Sequence, residues 1–548
     1  MPRNSSLFSP AGRLAQVERL GREAFDVLVI GGGITGVGVA RDAAMRGLRV
    51  ALVERDDFAS GTSSRSSRLV HGGVRYLEHG ALHLVYEASR ERRTLLTIAP
   101  HLVRPLAFTW PVYERARIPA WKLRAGLLLY DALSFFRNVA RHRGLSARAV
   151  LAAEPALRQA GLRGGAMYYD AATDDARLTL ATARAASDAG AVVVNHVAVC
   201  NLVIEAGTVC GAHVRCEISG ATPTIRARTV VNATGPWSDT IRRMANPAAP
   251  PAVRGTKGVH VAVPHERVGN RGALVILSPI DGRVMFILPA GRLTIIGTTD
   301  TDYAGPLDAV HATGDDIAYL LRSANAYFPA AHLSASDVVS AWAGVRPLAA
   351  GSDGAPSAAS REHAITWSAP GLLSVTGGKL TTYRAMAEEV VDAVCRAIGR
   401  APHRAATAEV PLPGGETSSL SAELEAARAA IGVAPLAEHL VHRYGTEWRD
   451  VWALVGSNHA LAARVAPELP DIVAELHWAV EHEMALTLAD LLVRRLHIAF
   501  ETRDHGLAAA PAAARVIAPL LGWTSGQIDS ELSRYARDVA KIFGIGRR

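Results

Sequence analysis

Phe25-Asp26-Val27-Leu28-Val29-Ile30-Gly31-Gly32-Gly33-Ile34-Thr35-Gly36, followed by Arg49-Val50-Ala51-Leu52-Val53-Glu54, decides the fold of this chain. An apolar strand runs into a glycine turn, a helix begins near Ile34, and a second apolar strand ends on an acid. Each part has a physical task in a dinucleotide-binding βαβ unit. Gly31 makes the tight turn, Gly33 lets the backbone approach a pyrophosphate, and Gly36 lets helix and strand pack closely. The helix start at Ile34 and Thr35 aims unpaired N–H groups at phosphates. Glu54, at the end of the second strand, stands where a carboxylate accepts hydrogen bonds from both hydroxyls of an adenosine ribose, which disfavours a 2′-phosphate.

Outward from this unit, Gly61-Thr62-Ser63-Ser64-Arg65-Ser66-Ser67-Arg68 is rich in hydroxyls and positive charge, a composition that alone reads as a solvated loop. It continues into Leu69-Val70-His71-Gly72-Gly73-Val74-Arg75-Tyr76-Leu77-Glu78, whose paired glycines allow the backbone close to a flat ring. Thr229-Val230-Val231 leads into Asn232-Ala233-Thr234-Gly235-Pro236-Trp237, a second glycine turn at the carboxyl edge of the sheet, where such folds bind ligands.

The pattern predicts helices over 81–99 and after Asp174-Asp175-Ala176-Arg177, and a hairpin near Gly207. It also predicts a separate sheet from 254–300 and 338–350, then a final strand and turn over 371–379 before a helix at 381–398. A leading helix carries Leu14, Val17 and Leu20. Pro411-Leu412-Pro413-Gly414-Gly415 reads as a linker. Beyond it, Leu436, Leu440 and Tyr444, and again Leu476, Val480 and Met484, repeat with helical spacing. His477 and His482 are split across their helix and read as a surface pair, so no metal site is expected.

A chain of 548 residues implies two or three domains. Its net charge of +8, from 59 Lys plus Arg against 51 Asp plus Glu, suits anionic substrates or an anionic lipid surface. Spread over this length it lacks the clustered basic face of a nucleic-acid binder. The four cysteines form no C-x-x-C, so neither an iron–sulfur cluster nor a cysteine zinc site is signalled, and a reducing, cytoplasmic setting is expected. Residues 1–22 lack the apolar core of a secretory signal, and no apolar run reaches the length that spans a bilayer.

Together the Gly31–Gly36 turn, the hydroxyl run with its His71-Gly72-Gly73 continuation, Ala233-Thr234-Gly235-Pro236-Trp237, Gly344-Val345-Arg346-Pro347-Leu348 and Gly377-Gly378-Lys379-Leu380-Thr381-Thr382-Tyr383-Arg384 closely resemble the FAD-dependent, quinone-reducing glycerol-3-phosphate dehydrogenases. The tail, with Tyr444-Gly445 and the run 479–485, resembles that family's C-terminal helical domain. The resemblance implies an α/β fold: a Rossmann-type FAD-binding domain of the glutathione-reductase and D-amino-acid-oxidase kind, interleaved with a mixed-sheet substrate domain, plus the helical domain. The boundaries expected are 22–80, 171–245 and 355–400 for FAD, 81–170 and 246–354 for substrate, and 411–548 for the helices.

The chemistry implied is hydride transfer from C2 of sn-glycerol 3-phosphate to noncovalent FAD, giving dihydroxyacetone phosphate, with a membrane quinone as acceptor. A protein at the inner face of the cell membrane is expected, and a homodimer is left open. Carried over position by position, the catalytic set is His260, Arg346 and Lys379, with Arg75, Tyr76, Arg361 and Thr381 also at the substrate. Fixed guanidinium forks suit a buried phosphate, and a histidine titrating near neutrality suits removal of the hydroxyl proton. His71 is the competing base. Around the flavin the resemblance places Gly31, Gly33, Ile34, Thr35, Gly36, Glu54, Thr62, Ser63, Ser64, Ser67, Arg68, His71, Gly72, Gly73, Ala233, Thr234, Gly235 and Gly378.

Residues 119–143, with aromatic and basic flanks on an apolar centre that includes Phe135 and Phe136, suit an interfacial helix. A core helix of the substrate domain is the competing reading. Two other functions remain in play: a glycerol-3-phosphate oxidase that uses oxygen, and a flavin-binding scaffold without turnover.

Overall fold

The structure, a computed structural model, describes residues 5–74, 77, 80–134, 138–350 and 362–546. Ala24–Ile30 and Val50–Val53 are parallel strands joined by the helix Ile34–Met45. Val27, Leu28 and Val29 are wholly buried, because a parallel strand is covered on both faces. Thr224–Asn232 pairs with the other edge of the first strand, and Leu372–Gly377 lies beyond it, so all four strand ends point the same way. Val192–Val194 and the antiparallel strand His363–Ala369 complete the row, and the hairpin Val197–Glu205 with Thr208–Cys216 hangs from Thr224–Asn232.

A second sheet forms around two long antiparallel pairs. Val103–Tyr113 pairs with Leu162–Thr173, and Val253–Pro264 with Ser340–Ala349. Ala273–Leu277, Val284–Ala290 and Leu293–Gly297 lie between them. The chain crosses between the sheets several times, as an interleaved two-domain fold requires. Leu69–Val70 pairs with Leu162–Thr173, so the crossovers fall near 70 and 173 rather than at the expected 80 and 171.

Behind both sheets lie the helices Leu420–Ile431, Ala434–Tyr444, Trp448–Ser457, Val473–His482, Ala510–Leu521 and Ser525–Phe543. This region is not purely helical, because Ile545–Gly546 pairs with Ala312–Thr313 of the preceding domain. The expected linker is also not a free tether. Leu412 is fully buried with its N–H on Ile98 O at 2.8 Å, and a Cβ on Gly414 would meet Tyr444 O at 2.3 Å. Met484 falls outside its helix, at φ 56°, and packs into the core of the first domain. Leu14 is exposed, whereas Val17 and Leu20 are buried as expected.

Buried ion pairs clamp the helical region to the first domain. The helix Asp175–Asp188 carries Arg177, which donates two 2.6 Å hydrogen bonds to Glu483, and Arg184, which donates two at 2.8 Å to Glu447. Removing one partner of such a pair strands the other charge away from water, at a cost of about 3–5 kcal/mol. Arg177→Met is therefore expected to lower the urea midpoint sharply, and Arg177→Met with Glu483→Leu to recover most of the loss. Equal midpoints for native protein and the single variant would contradict the clamp.

Candidate active site

The two glycine turns meet at the carboxyl edge of the first sheet. Gly31 holds φ 111°, and a Cβ there would lie 2.7 Å from Ala233 O. A Cβ on Gly36 would lie 1.9 Å from Gly31 O, so its role is the close approach of helix to strand. Gly33 is the N-cap of that helix and offers no capping side chain, while the Ile34 N–H donates to Ser63 Oγ at 3.0 Å. A cavity of about 470 Å³ opens here, lined on this side by Gly31, Gly33, Ile34, Thr35 and Glu54. Ala233, Thr234, Gly235, Gly73 and Gly378 also line it.

Both carboxylate oxygens of Glu54 are held from the protein side. The Gly32 N–H donates to Oε2 at 2.6 Å and the Asp56 N–H to Oε1 at 2.9 Å. Burial pushes the carboxyl pKa up, opposed by these two backbone donors. Each oxygen retains a second lone pair for a ribose hydroxyl. Next to it, the Arg55 guanidinium lies 4.5 Å over the Trp237 ring and pairs with Asp308, closing one end of the cavity.

Thr62, Ser63 and Ser67 of the hydroxyl run line the cavity, and Thr62 Oγ1 donates to Val345 O at 2.7 Å, tying the run to the second sheet. Gly36, Ser64, Arg68 and Gly72, expected at the cofactor, do not line it. Ser64 turns inward at the end of a short 3₁₀ turn and is buried. Arg68, at φ 54°, points away to His497 Nδ1 at 3.3 Å and lies 5.0 Å over the Phe500 ring. Gly72 is required by packing, since a Cβ would lie 2.2 Å from Tyr130 Oη, and its N–H donates to Asp170 Oδ1 at 3.0 Å. Arg75, Tyr76 and Arg361 lie outside the described residues, as do Phe135 and Phe136.

The opposite wall comes from the second sheet and brings His260 and Arg346 together with Lys379, Thr381 and His71. Register explains it. His260 pairs across the strands with Trp342 on one side and Gly297 on the other. The absent side chain of Gly297 leaves room for the imidazole, because a Cβ would stand 2.2 Å from His260 Cδ2. Trp342 stacks on the ring at 5.5 Å and 13°. His260 Nε2 shares a 2.8 Å hydrogen bond with Ser67 Oγ, and Nδ1 is buried without a hydrogen-bond partner among the described residues. His71 is held through its backbone: its N–H donates to Thr381 Oγ1 at 3.1 Å, and Thr381 Oγ1 donates to His71 O at 3.3 Å.

The expectation of a histidine titrating near neutrality is corrected. Burial, then the charges of Arg346 and Arg68, lower the His260 pKa to about 3. Arg346 Nη1 donates to Asp300 Oδ1 at 3.0 Å, and Nη2 to Thr298 Oγ1 at 3.2 Å. Asp300, Arg283 and Trp342 are contributions that the sequence reading missed. Arg283 follows an Asp281-Gly282 turn and Asp300 follows the strand ending at Gly297, so strand-end position was the available signal.

Comparison with known proteins follows the same division of the chain. The FAD dependent oxidoreductase family matches residues 26–384, and the C-terminal domain of alpha-glycerophosphate oxidase matches 405–528. The glycerol-3-phosphate dehydrogenase 2 of Mycobacterium bovis is 42% identical over 98% of this chain and 92% of its own. The chain belongs to the FAD-dependent glycerol-3-phosphate dehydrogenases. The glycerol-3-phosphate dehydrogenase of Synechocystis is 41% identical over 93% of this chain and 96% of its own. A solved structure of the glycerol-3-phosphate dehydrogenase from Bacillus halodurans, complexed with FAD, matches with a TM-score of 0.82 at 32% identity, covering 99% of this chain and all of that one.

The expected fold class and the FAD dependence are thereby borne out. The residues present fit the cofactor on their own terms: abutting glycine turns, an N-cap without a side chain, and a buried acid at the second strand end. His260 should stay neutral well below its ordinary range in the substrate-free protein. Histidine-labelled NMR, assigned with His260→Gln, is expected to show no titration of this ring between pH 8 and 5. A midpoint near 6.5 would contradict the burial and the two guanidinium charges as its determinants.

Proposed function

We propose that this chain oxidises sn-glycerol 3-phosphate to dihydroxyacetone phosphate and passes the electrons to a membrane quinone. The observation that carries this reading is the convergence of His260 and Arg346 in the cavity formed beside the glycine turns. FAD, when bound, supplies the hydride acceptor. Arg346 holds the substrate phosphate with a planar fork fixed from behind by Asp300 and Thr298. Lys379 and Thr381 line the same space and orient the hydroxyl end.

His260 takes the C2 hydroxyl proton at Nε2, displacing or receiving it through Ser67 Oγ, as the C–O bond becomes a carbonyl and the C2 hydrogen leaves with its electron pair. A base with so low a pKa is weak before substrate binds. A bound phosphate dianion beside Arg346 offsets one of the charges that lowers it, so substrate itself raises the basicity of the ring. His260→Ala is expected to slow anaerobic flavin reduction by roughly a hundred- to ten-thousandfold with FAD retained. Reduction at the native rate would move the base elsewhere, with His71 the next candidate.

The acceptor reading rests on a surface feature. The helix Ala120–Leu133 buries Leu123, Leu127 and Tyr130 against the second domain, while Trp121 is 73% and Leu128 55% exposed beside Lys122 and Arg124. No helix among the described residues is long and apolar enough to cross a membrane. An apolar face flanked by cations is suited to lie in the headgroup layer of an anionic membrane, here assigned to the cytoplasmic leaflet. Trp121→Glu with Leu128→Glu is expected to release the protein from anionic vesicles while turnover with a water-soluble dye persists. Vesicle binding equal to that of the native protein would sink the interfacial assignment. The match of residues 405–528 to a glycerophosphate oxidase domain favours oxygen as the second acceptor to test. Anaerobic turnover with added quinone supports the first reading, and rapid oxygen uptake without quinone the second.

A further inference from the structure

Arg283 faces the same cavity as Arg346, and one carboxylate joins the two guanidinium groups. Asp300 Oδ1 accepts from Arg346 Nη1 at 3.0 Å, Asp300 Oδ2 lies 3.3 Å from Arg283 Nη1, and Arg283 Nη2 donates to the Asp300 carbonyl oxygen at 3.2 Å. The acid is at the back. Its side chain is 2% exposed, against 22% for Arg346 and 17% for Arg283, so the two guanidinium edges are the parts open to the cavity. Asp281 lies 3.6 Å from Arg283 Nε, yet it is 43% exposed and already accepts the Tyr319 hydroxyl, so water screens it.

The charge of this corner decides what it holds. Arg283 and Arg346 bring two positive charges to the one negative charge of Asp300, leaving about one positive charge in excess at this corner; among the described residues, the other acids on the cavity lining are Glu54, Asp56 and Asp308, toward the Arg55 end, and Asp170, which is paired with Arg92. A phosphate monoester at neutral pH carries about −1.5 to −2. A single arginine paired with an acid would be nearly neutral and would discriminate poorly against an uncharged polyol.

We propose that Arg283 is a phosphate-binding residue in its own right, with Asp300 as the spacer that sets the two guanidinium groups side by side as one dianion receptor. The inference rests on the reading above that Arg346 holds the substrate phosphate. It extends that reading by assigning the preference for a phosphate dianion to the pair rather than to Arg346 alone. Arg283 does not touch His260, so its loss acts on capture of the substrate more than on the chemical step.

The test uses the FAD-loaded enzyme and inorganic phosphate as the probe, followed by isothermal titration, beside steady-state kinetics with glycerol 3-phosphate. Arg283→Gln is expected to weaken phosphate binding and raise KM by roughly ten- to a hundredfold, with kcat within a few-fold of native and FAD retained. Arg283→Lys, which keeps the charge but loses the fork, is expected to recover part of the affinity. Native enzyme that responds to glycerol 3-phosphate while Arg283→Gln keeps native phosphate affinity and KM would overturn the inference and leave the proposed function standing. Native enzyme with no response to glycerol 3-phosphate would overturn both. Loss of FAD or of fold in both variants would assign Arg283 to the scaffold and overturn the inference.

Discussion

A Cβ on Gly36 would stand 1.9 Å from the carbonyl oxygen of Gly31, so the first turn of the helix rests directly on the end of the first strand. That contact sets the direction of the helix and brings its glycine N-cap to the carboxyl edge of the sheet, where Glu54 and Ala233 also arrive by parallel pairing. The second sheet is then held against this edge by specific ties. Thr62 bonds to Val345, Ser67 to His260, and Arg55 to Asp308. The cavity is the space these ties leave between the edge of glycine turns and a wall of fixed side chains. Any residue larger than glycine at position 36 would push the helix off the strand and move the edge relative to the wall.

The C-terminal region stands behind the chemistry as well as beside the fold. Trp342, which stacks on His260, packs edge-on against Phe500 at 5.2 Å, and Ser340 Oγ donates to Phe500 O at 2.7 Å. Arg68, next to Ser67, reaches His497, whose other nitrogen bonds Asp174 Oδ1 at 3.0 Å. The ring plane of His260 and the placement of its Ser67 partner thus depend on side chains of the C-terminal region, Phe500 for the first and His497 for the second. Charges buried in this interface are paired, as Arg177 with Glu483 and Arg184 with Glu447, because an unpaired buried charge would be costly.

Local signals carried the βαβ unit into the sequence reading without ambiguity, since turn glycines, apolar strands and an acidic strand end are all written within thirty residues. The interleaving of the domains was legible through the second glycine turn and the later strand-rich segments, although Leu69–Val70 pairs in the sheet opposite to the one expected. Side-chain direction was not legible. Arg68 and Gly72 lie within the motif yet serve packing, because a positive φ at Arg68 and the Tyr130 hydroxyl against Gly72 are tertiary facts. Arg283 and Asp300 carry no motif and enter the site only through strand pairing. The linker reading at 411–415 failed for a similar reason: proline and glycine there satisfy tight packing against Ile98, His101 and Tyr444 rather than chain freedom.

The proposed reaction needs one cavity that joins the cofactor edge to the wall carrying His260 and Arg346, and the lining here joins them. Anaerobic titration of the purified yellow protein tests the reaction most directly, with sn-glycerol 3-phosphate in one cell and glycerol in the other. About one equivalent of the phosphate ester is expected to bleach the flavin while glycerol at the same concentration leaves it oxidised. A flavin that glycerol 3-phosphate does not bleach, or that glycerol bleaches equally fast, would contradict it.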